Sequence, residues 1–197
     1  MLLKHFIEGT AKRLERFNHD EIRYMLYPWG PSERKTLPGF QALHGLKGAA
    51  ICEAEIVRGI AKGLDLTAPK IAGATADVDT DIAAKTIATL NMLEEHDFVV
   101  THFNGADEAA HRYDYQGKAE FISAIDEEFL EKIINNIQEP LRIVICGDHV
   151  TSSVNGKHNK NAVPVVAAQI NTAAIPVKIN NYQDILTFLM RASDMRG

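Results

Sequence analysis

The sequence predicts an α/β chain: a three-layer α/β/α domain around a mostly parallel central sheet. Three observations carry that expectation. Strand-like and helix-like stretches alternate four times between Gly48 and Ala168, the pattern of βαβ units. Between Lys118 and Ile137 the residues Phe121, Ile122, Ile125, Phe129, Ile133 and Ile137 recur at helical spacing, a stripe that belongs to a core. The run Leu141 to Cys146 is a continuous apolar strand of the kind buried on both faces in a parallel sheet. At 197 residues and 46% hydrophobic content the chain can bury a sizeable core as one domain, or one and a fraction.

In chain order, residues 1–18 carry Leu3, Phe6, Ile7, Leu14 and Phe17 in a rough helical stripe, with Gly9-Thr10 interrupting it. Ile22 to Tyr27 alternates as a strand that Pro28-Trp29-Gly30-Pro31 ends, because proline cannot donate to a ladder. Pro31 to Phe40 is a loop in which Arg34 and Lys35 read as a solvated pair. Gly48 to Cys52 is a short buried strand, and Glu53 to Lys62 a helix lined by Ala54, Ile56, Val57 and Ile60, with Gly63 as its closing glycine. Lys70 to Ala74 is the next strand, and Asp79 or Thr80 caps the helix Ile82 to Glu95. Asp77, Asp79 and Asp81 lack the glycine turn and distal glutamate of an EF-hand, so they read as caps and solvated loop. Asp97 to Phe103 is a strand, Pro140 stops the long helix, and Val163 to Ala168 is a strand with an edge-like proline.

Composition excludes several classes. A formal charge of −5 with scattered basic residues predicts neither nucleic acid nor an anionic membrane as partner, so an anionic substrate must be held locally. Cys52 and Cys146 sit in apolar surroundings and read as buried, reduced thiols. No apolar run reaches membrane-spanning length and Met1 to His5 is not a signal peptide, so the expectation is a cytoplasmic protein.

The chemistry gathers at two places. Asp107 and His111 stand four apart after an apolar strand, on one face if the chain turns helical past Ala106. Asp148 and His149 follow the strand Leu141 to Cys146, and His158 comes nine residues later, able to serve either pair. A lone Asp-x-x-x-His or Asp-His is commonplace. Two such groups at the ends of two strands converge at the carboxyl edge of an open sheet, and carboxylates with imidazoles are the usual ligands of zinc and manganese. The set predicts binding of divalent cations.

The order Asp107-Glu-Ala-Ala-His111, Gly147-Asp148-His149-Val-Thr151, His158 and Val163-Pro164 resembles the carboxyl-terminal half of the alkaline phosphatase superfamily, and within it the archaeal-type cofactor-independent phosphoglycerate mutases. Pro28-Trp29-Gly30, Gly45-Leu-Lys-Gly48, Gly59-Ile, Gly73-Ala-Thr75, Asp79-Thr80 and Lys85 fall where that family has similar residues, so the likeness runs from about Tyr27 to Ala168. The resemblance implies Asp107, His111 and His158 on one metal and Asp148 and His149 on the other, the metals being manganese, zinc or magnesium. It implies interconversion of 2- and 3-phosphoglycerate in glycolysis through a serine or threonine phosphoenzyme, with the metals activating the nucleophile and neutralising the phosphoryl oxygens.

The chain also departs from that family. Members run to about twice its length, and their amino-terminal half supplies an early metal aspartate and the nucleophile. The resemblance therefore implies an alkaline phosphatase-like core incomplete on its amino-terminal side, residues 1–20 being a remnant of an inserted substrate domain or its return segment and 21–197 the metal-binding core. One metal site is complete and the other incomplete. No catalytic nucleophile is identified: Thr151, Ser152 and Ser153 read as loop caps. Ser152 stands where a proline is usual, and Asn161-Ala162 where Asp-Pro is usual. Expected partners are phosphoglycerate and a complementing amino-terminal half, or a second copy through self-association. The other readings are a non-catalytic metal-binding remnant and a phosphohydrolase that uses metal-bound hydroxide.

Overall fold

A computed structural model describes residues 2–28, 33, 35–173 and 176–190. The Trp29-Gly30-Pro31 motif and Arg34 lie outside the described residues. The chain divides into two compact units, Met1–Thr36 and Leu37–Gly197, where the sequence sets its boundary between residues 20 and 21.

In the first unit helix α1 (Leu2–Leu14) runs unbroken through Gly9-Thr10 into a 3-10 turn, Glu15–Phe17. The expected interruption is absent because Thr10 donates its hydroxyl to the Ile7 carbonyl, which keeps a polar side chain inside the helical pattern. Ile22 to Tyr27 forms no strand. The only pairing there is an isolated bridge between His19 and Ile22, and Tyr24 spends its amide on the Asn18 side chain. With no second strand beside it among the described residues, the alternating pattern has no ladder to join. No residue of α1 is buried.

The second unit opens with α2 (Phe40–His44) and β1 (Gly48–Ile51), which is buried along its whole length. Helix α3 (Glu55–Gly63) follows, and here the expected apolar face is wrong. Val57 and Ala61 pack against Ala50 and Cys52, whereas Ile56 and Ile60 are 72% and 53% exposed. A stripe two residues wide suffices to cover so short a strand. Gly63 lies inside the helix rather than closing it in a left-handed conformation, which Asp65 adopts instead (φ 54°). The strand expected at Lys70 to Ala74 is replaced by a single bridge from Thr67 to Ala49. Pro69 and the turn at Gly73 (φ 78°) leave no room to extend it.

Helix α4 (Ile82–Glu95) matches its expected bounds, but its cap is Asp81, which accepts from the Ala84 amide at 2.7 Å. Thr80 instead accepts from the Thr75 amide and Asp79 from the Thr75 hydroxyl, closing the preceding loop on itself. Strand β2 (Phe98–Thr101) pairs in parallel with β1, residue for residue from Gly48↔Phe98 to Ile51↔Thr101.

After α5 (Gly105–His111), the long helix is α6 (Tyr115–Ala124), a π-helical turn (Ile125–Leu130) and α7 (Glu131–Asn136). The π turn has a partner for its altered carbonyls: Thr86, buried in α4, directs its hydroxyl to both the Ile82 and Glu128 carbonyls. Ile82, Phe121, Phe129 and Ile133 form the larger core, with Phe103 edge-on to Phe129. Gly105 permits that packing, since a Cβ there would stand 2.7 Å from Phe121 and 2.9 Å from the Asp77 backbone.

Strand β3 (Leu141–Cys146) has its expected bounds, but it pairs antiparallel with β6 (Val165–Ile170), and its Cys146 end is exposed. The parallel, doubly buried setting expected for it is not what this pairing provides. Between them, β4 (Val150–Ser152) and β5 (Lys157–Asn159) make a hairpin, and α8 (Tyr182–Leu189) packs on β3 behind an Asn181–Asp184 capping box. The described strands thus form three two-stranded sheets, one parallel and two antiparallel, in an α/β fold. Among the described residues the outer edges of β2 and β3 carry no strand partner.

Candidate metal centre

Two pieces of backbone build the centre. The first is α5, which starts after a three-residue link from β2 and puts Asp107 in its first turn and His111 at its end, one turn apart on one face. The helix is tied down at its start by Asn104, whose amide donates to the Ala76 carbonyl at 3.1 Å. Just past its end Arg112 grips Asp77 with two hydrogen bonds of 2.7 and 2.5 Å. That guanidinium holds the Asp77 carboxyl down at about 2, against an ordinary 3.8.

The second piece is the β4–β5 hairpin, in which Thr151 and His158 are direct cross-strand partners and so face the same side. Its turn passes through Gly156 in the left-handed region (φ 62°), and the Gly156 carbonyl accepts from His111 Nδ1 at 2.8 Å. That bond fixes the His111 tautomer. With the proton on Nδ1, the lone pair of Nε2 faces inward.

The inward-facing atoms converge. His111 Nε2 lies 3.1 Å from His158 Nε2, 3.4 Å from Asp107 Oδ2, and Asp107 Oδ1 lies 3.6 Å from His158 Nε2. Ligands about 2.0–2.1 Å from a tetrahedral cation stand about 3.3 Å from one another, so these separations are those of three donors around one ion. The His111 Nε2 lone pair can accept from His158 Nε2–H at that distance, and a cation bound there would take the place of that proton. Asp107, His111 and His158 can therefore hold a divalent cation.

Asp148 and His149 form a smaller group beside it. His149 Nε2 is 3.5 Å from Asp148 Oδ2, again a ligand-edge distance, and its ring lies against that of His158, tilted by 31° with centroids 3.9 Å apart. The loop is held by the Tyr182 hydroxyl, which reaches the carbonyls of Gly147 and Asp148 at 3.0 and 2.9 Å. Among the described residues this pair has no third ligand in place.

The two sequence clusters thus lie side by side. Several supporting groups were not read. Thr151, 4% exposed, donates its hydroxyl to Asp107 and lies 3.1 Å from His149 Nδ1. Its signal was available, since it stands two residues beyond His149 on an extended chain and faces the same way. Lys118 donates to the Thr151 carbonyl at 2.8 Å, a contact no spacing rule announces. His102, after β2, has its pKa lowered by burial and by the Lys85 cation, against the opposing pull of Asp148 and Asp107.

Known proteins bear on this geometry. Residues 7–186 match the family model described as the metalloenzyme superfamily. The 2,3-bisphosphoglycerate-independent phosphoglycerate mutase of Methanococcus vannielii is 35% identical over 152 residues, 77% of this chain and 37% of the relative. That of Methanopyrus kandleri is 31% identical over 156 residues, 78% of this chain and 37% of the relative. The solved structure of the PH0037 protein from Pyrococcus horikoshii superposes with a TM-score of 0.69 at 25% identity, covering 85% of this chain and 46% of that one. The chain spans just over a third of the length of these mutases. On its matched residues and its fold, the chain belongs to the metalloenzyme superfamily.

Proposed function

We propose that this chain is the metal-binding half of a 2,3-bisphosphoglycerate-independent phosphoglycerate mutase, holding one divalent cation through Asp107, His111 and His158. The observation that carries the reading is the convergence of those three donors at ligand-edge distances, with His111 already in the metal-binding tautomer. A second cation would use Asp148 and His149 together with a carboxylate from elsewhere. A divalent cation so held, manganese, zinc or magnesium, supplies a Lewis acid for phosphoryl oxygens. The residues' own part is to fix that position: α5 presents Asp107 and His111, the hairpin presents His158, and Gly156 orients the imidazole.

The substrate of this reading is 2- or 3-phosphoglycerate, a glycolytic and therefore cytoplasmic compound. Residues 1–20 belong in this reading to the substrate domain and 21–197 to the metal core. A strand bearing the further carboxylate, from a complementing amino-terminal half, would cover the unpartnered edges of β2 and β3, where Val100 and Ile145 are each 38% exposed; without it, a second copy would associate through the same edges. No helix among the described residues is long and apolar enough to cross a membrane.

Phosphoryl transfer by this route needs a hydroxyl in line with the leaving oxygen, and the family resemblance implies a nucleophile supplied by an amino-terminal half without a counterpart in this chain. The chain alone is then inactive as a mutase. A coupled assay with manganese tests this, first on the purified chain and then after mixing with a chain spanning the remainder of a relative. Activity that appears only on mixing supports the proposal; robust activity beforehand, or none after mixing, contradicts it.

A further inference from the structure

Thr151 touches both ligand groups at once. Its hydroxyl has one hydrogen, and Asp107 Oδ1 takes it. The hydroxyl oxygen can then meet His149 Nδ1, 3.1 Å away, only as an acceptor. That requires the proton on His149 Nδ1. The alternative donor position, Nε2, has Asp148 Oδ2 at 3.5 Å, beyond a good hydrogen bond. We propose that Thr151 is a positioning residue shared by the two groups, aiming the Asp107 carboxylate at one cation and presenting the His149 Nε2 lone pair, beside Asp148, to the other.

The residue is built for such a role. It is 4% exposed, so water does not compete for its hydroxyl, whereas Asp107 and His149 side chains are 25% and 33% exposed and need something to hold them. Its backbone is pinned from the other side by Lys118, and its strand partner is His158. One hydroxyl therefore joins a carboxylate and an imidazole that the family resemblance implies belong to separate cations. Partners of this outer kind orient ligands and cost ten- to hundredfold in affinity when removed, by the general order of magnitude of about 1–3 kcal/mol.

The inference rests on the metal-binding reading for its affinity arm, but its tautomer arm does not. The experiment compares wild type with Thr151→Val, which keeps the shape and loses the hydroxyl, and Thr151→Ser, which keeps the hydroxyl. Ring nitrogen chemical shifts of His149 are measured on metal-free protein at about pH 8, above the ordinary histidine range, and manganese affinity by calorimetry. Wild type and Thr151→Ser should show the Nδ1-protonated tautomer and equal affinity; Thr151→Val should lose that tautomer and bind roughly ten- to hundredfold more weakly. An Nε2-protonated His149 in wild type overturns the proposal, as does a Thr151→Val protein with both properties intact. Should Thr151→Val not fold, the wild-type tautomer and the Thr151→Ser affinity decide it by themselves. A wild type that binds no manganese defeats the metal-binding reading, while the tautomer still decides the Thr151–His149 contact.

Discussion

Lys85 is 1% exposed, yet it carries an ammonium into the interior between α4 and β2. Its Nζ donates to the His102 carbonyl at 2.6 Å and sits 4.3 Å from the centre of the Phe103 ring. These contacts do not replace its hydration. Burial lowers its pKa from 10.5 to about 8, against the pull of Glu53 and Cys52. The native state therefore releases this proton more readily than the unfolded chain does. Below about pH 8 both states hold the proton and the cost of burial is fully present; between about 8 and 10.5 the unfolded chain binds more protons, so stability rises with pH. A displacement of that size corresponds to about 3 kcal/mol at most. Cys52 works the other way: burial raises its thiol pKa, and its contribution is lost as pH climbs through the raised value. Lys85→Met removes the ammonium and keeps the thiol, whose pKa loses only the lowering by Lys85, a smaller cause than its burial. Urea unfolding at intervals from pH 7 to 10.5 should show wild type gaining on Lys85→Met by up to about 3 kcal/mol. Parallel stability curves for the two proteins would refute the reasoning.

Gly156→Ala should cost about 1–2 kcal/mol, since φ 62° is strained for an L side chain and the new Cβ would stand 3.1 Å from the His111 carbonyl oxygen. Because the Gly156 carbonyl orients His111, calorimetry should also show weaker manganese binding; unchanged stability and affinity would contradict both points. At acid pH, the depressed Asp77 carboxyl contributes stability that is present above its ordinary value near 3.8 and lost as pH falls through about 2. Asp77→Asn should flatten the unfolding curve over that window, and an unchanged acid slope would show that the Arg112 grip contributes nothing to folding.

Where local pattern and tertiary partner agreed, the sequence was readable. The α4 and β3 bounds follow from an apolar period between clear stops, and the Asp107–His111 pair from helical spacing beyond β2. Misreadings arose where a partner decided the outcome. Ile22 to Tyr27 has a strand's alternation but nothing to pair with, and Ile56 and Ile60 sit on a helix whose buried face is only Val57 and Ala61 wide. The antiparallel return of β6 onto β3 depends on a hairpin between them, which a βαβ reading does not anticipate. In the site, ligand types announced themselves by their chemistry, whereas the groups that aim them did not. A glycine carbonyl, a threonine hydroxyl and a lysine reaching a backbone oxygen look like ordinary loop and helix residues until the chain is folded.

The central claim is that Asp107, His111 and His158 hold a divalent cation. Calorimetric titration of the purified chain with manganese, and separately zinc, tests it against His111→Ala. The account predicts one tight site per chain in wild type, with Asp148 and His149 adding only weak binding, and a loss in His111→Ala beyond about a hundredfold, the upper end of what outer partners alone cost. Equal affinity in the two proteins would contradict it.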